Sequence, residues 1–169
     1  MHTEFEALLH KAEEQYLQKP GMLVFKHQIA SLTLRLETYE LLRDQEIAIF
    51  QSVADQLLET FSSSQTQLLE KALMHWLAVM RYAAMAMLLH QPEFLQHRLL
   101  EWLTDIVQIH PMQDIEMKLY PLLMTQLQKV LSEQQMALMQ PFVEQARTAL
   151  INTSTSPDLT VPPISAAIS

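Results

Sequence analysis

Three observations predict an all-α fold. One residue in 169 is glycine, too few for a sheet protein rich in tight hairpins. Leu, Gln, Met, Ala and Glu dominate, all good helix formers. Apolar residues return at three- and four-residue steps along most of the chain, the period of a helix with one buried face. With 49 % hydrophobic residues, the chain is long enough to bury a core, and residues 1–151 are expected to form a single domain.

The stretch Leu68–Leu103 organises the chain. Leu69, Leu73, Trp76, Leu77, Met80, Ala84, Met87 and Leu88 mark a central helix interrupted only by His75, Arg81 and Tyr82. A tight turn at His90-Gln91-Pro92 follows, with Pro92 at the first position of the next helix, where its missing N–H costs nothing. The stripe of that helix is Leu95, Leu99, Trp102, Leu103 and Ile106. Both tryptophans sit in this pair, so the largest blocks of buried surface are expected here.

Ahead of it, His2–Leu17 reads as a first helix ending at Lys19-Pro20-Gly21. It makes an arm over residues 1–21 that packs on a partner chain or folds back on its own core. Gly21 suggests a backbone position that a β-carbon would strain. Met22–Phe61 is mostly helical, one bent helix or two, with Asp44 a candidate cap where the apolar phase shifts. Ser64 with Gln67 fits a capping box opening the central helix, and Ser132 with Gln135 fits another before the last helix. Met112–Leu131 contains Pro121, so a kink or restart is expected, and Pro141 should bend the last helix. Residues 152–169, rich in Ser, Thr and Pro, read as a disordered tail. The eight methionines from Met80 to Met139 that follow helical spacing read as gap-filling core, or as an adaptable pocket or interface.

Composition excludes whole classes of function. A lone glycine rules out glycine-dependent phosphate loops. No cysteine means no thiolate nucleophile, no thiolate zinc site and no thioether-linked cofactor. A net charge of −8 without a basic cluster disfavours nucleic acid. No spacing suggests a metal site or a Ser-His-Asp set, so a non-enzymatic protein is expected. The acidic start (Glu4, Glu6) does not read as a signal peptide, and none is expected there. The most apolar window, Leu77–Leu89, is broken by Arg81 and is shorter than the roughly 20 residues of a membrane span. A cytoplasmic protein without membrane insertion is expected.

The run Ala12-Glu13-Glu14-Gln15-Tyr16-Leu17, then Pro20-Gly21, is similar to AEARYLSPGEL, with one residue inserted, near the start of phycobiliproteins, the globin-like antenna subunits of phycobilisomes. Arg35-Leu36 with Glu40 resembles their RL…AE run. Val79-Met80-Arg81 followed by Met87-Leu88-Leu89 resembles their YLR…YxxxAGD segment, and Ile109-His110-Pro111 their GxP. The resemblance covers nearly everything before the tail. It implies a globin-like fold with an N-terminal helical extension, a place in photosynthetic phycobilisome or bilin biology, and pairing as a homodimer or with phycobiliprotein-like subunits. Tyr16, Arg35 and Arg81 are the interface residues it suggests.

The family's pigment attachment does not carry over. Its bilin-bearing cysteine corresponds to Ala72, its propionate-binding arginine to Met74, and its pyrrole-binding aspartate to His75. The acidic residue that pairs subunits through the arginine matching Arg81 corresponds to Lys11, although Glu13 and Glu14 lie close enough for a shifted register. Two expectations follow. One is an accessory protein that keeps the fold, lacks a covalent pigment and acts by subunit pairing. The other is a reversible carrier or sensor of non-covalent bilin or haem, with His75, Trp76, Arg81 and Tyr82 as ligand-binding residues. For His75 the plain alternative is a half-buried, hydrogen-bonded histidine. For Arg81 it is a pairing with a glutamate such as Glu101.

Overall fold

The computed structural model describes residues 2–101, 103 and 112–151, with side chains from residue 6 to 150. Every regular element within them is helical. In chain order they are α1 (His2–Glu14), α2 (Lys19–Thr60), a 3-10 turn (Ser63–Gln65), α3 (Thr66–Leu89), α4 (Pro92–Leu95, continued by a π turn at Gln96–Leu100), α5 (Gln113–Val130) and α6 (Glu133–Ile151). The expected all-α class is what forms. The expected tail lies outside the described residues, as do Trp102, Ile106 and the His110-Pro111 break.

Helix α3 sits at the centre. It packs against α2, α4, α5 and α6, and it buries Leu69, Ala72, Trp76, Val79, Met80, Ala83, Ala84, Ala86 and Met87. This helix is long and apolar enough to cross a membrane by length and composition. Here its apolar face is buried against Val53, Leu57, Leu119, Leu123, Val143 and Ala146 of the surrounding helices. Its C-terminal end is a Schellman motif. His90 adopts the left-handed conformation (φ 55°, ψ 44°), the Gln91 amide donates to the Ala86 carbonyl and the His90 amide to that of Met87. Pro92 then opens α4, as its fixed φ allows.

Several boundaries differ from the sequence reading. Helix α1 ends at Glu14, and Pro20 lies in the first turn of α2 rather than after α1. Gly21 is an ordinary helical residue. A β-carbon there would meet the Leu17 and Leu8 side chains at 3.5 Å and 3.8 Å, normal contact distances, so no strain dictates glycine. Helix α2 is continuous over 42 residues. Asp44 caps nothing; it accepts a 2.7 Å hydrogen bond from Arg43 Nε instead. The Ser64–Gln67 capping box does not form, because a 3-10 turn occupies that stretch and Gln65 becomes the N-cap. The Ser132–Gln135 box does form, with the Ser132 amide donating to Gln135 Oε1 at 3.0 Å and the Gln135 amide to Ser132 Oγ at 3.3 Å. Neither Pro121 nor Pro141 makes its helix restart.

The π turn was not legible in the spacing. The Glu101 amide donates to the Gln96 carbonyl, five residues back, which brings the neighbours Leu99 and Leu100 both into the core.

The N-terminal part of the chain does not join this core. No residue from Glu6 to Leu34 is buried, and the first buried side chain is Arg35. Helix α1 lies alongside the start of α2. Together they leave Leu9, Met22, Leu23, Val24, Ile29 and Leu32 exposed, and Tyr16, in the link between them, is 96 % exposed.

Candidate functional site

A cleft of about 420 Å³ opens between α2, α3 and the start of α4. Tyr39, Leu42, Ile49 and Phe50 form its α2 wall, and Met80, Ala84 and Met85 its α3 wall. Phe94 closes one end, its ring 6.0 Å from that of Tyr82 and inclined by 29°. An apolar, aromatic concavity of this size falls within the range of small-molecule sites, about 300–1,000 Å³.

The charged side chains of the lining are Arg43, Glu46 and Arg81. Arg81 grips Glu46 with two parallel bonds, Nε to Oε2 at 2.7 Å and Nη2 to Oε1 at 2.6 Å. The fork-to-fork geometry is the one guanidinium and carboxylate favour. Hydrogen bonding to Arg81 holds the Glu46 carboxyl below its usual range, and the same bond raises Arg81. Arg81 is 63 % exposed and Glu46 22 %, so the pair sits at the mouth, the carboxylate inward. The expected partner Glu101 is elsewhere, 2.9 Å from His97 Nδ1.

The four residues expected to bind a ligand are thus divided. Arg81 and Tyr82 line the cleft. Trp76 is fully buried in the core, its ring 5.7 Å from Tyr120, and half-buried His75 is not in the cleft lining. For His75 the reason is helical phase, since it lies opposite the face that 80 and 84 present; Trp76, one turn before Met80 on the same buried stripe, is taken up by the core instead. Ala72, which stands where the family's bilin-bearing cysteine would be, is fully buried.

Among the expected interface residues, Tyr16 and Arg81 are exposed. Arg35 is 2 % exposed and corrects that expectation. Its Nη1 donates to the Leu88 carbonyl at 2.6 Å and its Nε to the Ser31 carbonyl at 3.3 Å, so it is an internal tie. Arg35 also borders a second cavity of about 290 Å³, with His90, Phe142 and Gln145 among its neighbours.

A buried and a half-buried group on α5 depart from the sequence reading, in which Asp114 and Glu116 form an acidic pair on a solvated face. Glu116 on α5 is 1 % exposed, its Oε1 has no hydrogen-bond partner among the described residues, and burial raises its carboxyl to about 7. Tyr120, one turn on, donates to Glu144 Oε1 at 2.6 Å beneath the Arg147 guanidinium, and burial with that bond pushes its hydroxyl up to about 12. The i, i+4 spacing of Glu116 to Tyr120, with Glu116 four residues after buried Met112 and Tyr120 three before buried Leu123, was the available signal. Among the described residues no three metal-ligating side chains converge.

A scan of protein-family models finds no match to the chain, and no curated protein matches it.

Proposed function

We propose that this is a non-enzymatic accessory protein of the cytoplasm, of the phycobiliprotein type its sequence resembles, which carries no covalent pigment and acts by pairing with a second copy of itself. The supporting observation is the arm of α1 and the outer half of α2, whose apolar side chains are left exposed by the described residues of the chain. Apolar surface left in water at this extent favours association. Charge favours a second copy at this place. The first 36 residues hold four acids (Glu4, Glu6, Glu13, Glu14) and four bases (Lys11, Lys19, Lys26, Arg35), whereas the whole chain carries −8. Two copies meeting arm to arm avoid the repulsion that their remaining surfaces would impose. Light scattering behind a sizing column tests this. A dimer is expected at micromolar concentration, and Leu23→Glu with Leu32→Glu should give a monomer of unchanged helicity. A wild-type protein that stays monomeric at every concentration overturns it.

A second reading is favoured by the joining of Arg81 and Tyr82 at one apolar cleft: reversible, non-covalent tetrapyrrole binding. Among the described residues the lining has no histidine. That favours a bilin held through a carboxylate over a haem held by an imidazole. Titration with biliverdin and with haemin, followed by absorbance, should shift the first spectrum and leave the second unchanged. No shift with either ends this reading.

A further inference from the structure

We infer that Glu46 is a built-in competitor for the ligand of the cleft, occupying on Arg81 the place that the carboxylate of an aromatic amphiphile would take. The inference rests on the reading of the cleft as a ligand site, but not on tetrapyrrole as the ligand. Three facts carry it. The cleft walls are apolar and aromatic, fitted to a flat hydrophobic body. The mouth holds two guanidiniums, and Arg43 is bonded to Asp44, which is outside the lining. The other, Arg81, is neutralised by Glu46, the one acidic side chain among the described lining residues, through both oxygens, at charge-assisted distances.

A guanidinium so paired offers little net attraction to a second anion. An incoming carboxylate must displace Glu46 or settle beside it against its negative charge. With Glu46 uncharged, the mouth regains a full positive charge where the ligand's acid group arrives. At separations of about 4–6 Å in a partly wet site, that difference corresponds to about three- to tenfold in affinity. The cleft is therefore a carboxylate site kept at low affinity by its own side chain.

Pyrenebutyrate and the uncharged pyrenebutanol test this by fluorescence titration of the full chain. Wild type should bind acid and alcohol within about twofold of each other. Glu46→Gln should bind the acid about fivefold more tightly and the alcohol unchanged, and adding Arg81→Gln should abolish the gain. Helicity and melting of each variant, read by circular dichroism, guard against a folding effect. An acid affinity unmoved by Glu46→Gln overturns the role of Glu46 while leaving the cleft a binding site. Failure of every variant to bind either probe removes both.

Discussion

The Nη1 of Arg35 donates a 2.6 Å hydrogen bond to the Leu88 carbonyl, joining two helices at the point where one leaves the body and the other ends. The last carbonyls of a helix lack intrahelical donors and carry partial negative charge, so a buried cation there satisfies both needs. Burial lowers the Arg35 pKa without discharging it. Arg35→Met should therefore lower stability by about 2–3 kcal/mol, the worth of a buried hydrogen bond to a charged group. Urea denaturation checks it; a loss below about 0.5 kcal/mol contradicts it.

His90 holds a left-handed conformation that suits glycine better than any residue with a β-carbon. His90→Gly should raise stability by about 0.5–1 kcal/mol, the relief of strain exceeding the added chain entropy. Thermal unfolding measures this, and a lower midpoint would contradict it.

Glu116 makes stability depend on pH. Its folded pKa of about 7 exceeds the ordinary 4.5, so the folded chain retains a proton that the unfolded chain has released. Stability is fully present below pH 4.5, declines as pH rises to 7, and is flat above. One proton over that interval corresponds to a loss of about 3 kcal/mol at most. Glu116→Gln should flatten this slope. Denaturation midpoints from pH 4.5 to 8 decide it; an unchanged slope in the variant refutes the assignment to Glu116.

Trp76 is fully buried, yet its indole N–H has no hydrogen-bond partner among the described residues. Trp76→Ala should cost about 3–5 kcal/mol through the cavity it leaves. Trp76→Phe should cost less than half as much, because the ring contact with Tyr120 is kept and an unsatisfied donor is removed. Equal losses from the two would show that the N–H is satisfied in solution.

Much of the fold was legible because it is local. The turn at His90 and Pro92, the box at Ser132 and Gln135, and the burial of Leu69, Met80 and Met87 each depend on residues within a few turns. Ser64 and Gln67 have the same capping pattern but no box, since a 3-10 turn runs through that stretch and ties the Gln65 and Thr66 amides to the Ser62 and Ser63 carbonyls. The site was half legible. Arg81 and Tyr82 were found as polar interruptions of an apolar helix, but Glu46, 35 residues away in sequence, meets Arg81 only through the crossing of α2 and α3. Arg35 was expected at a subunit interface, from the resemblance alone, because sequence does not say which end of another helix it will meet. The π turn depends on how Leu99 and Leu100 both find the core, which helical spacing alone does not specify.

Helix α2 is one rod of 42 residues, about 63 Å long, and serves two places at once. Its outer part carries Leu23 and Leu32; its inner part is a wall of the cleft. Leu23 and Glu46 thus lie about 35 Å apart along the same shaft. A body that seated near Leu23 and turned the shaft would move Glu46 with it, and by reciprocity whatever displaced the inner end would change the grip at the outer one by the same factor.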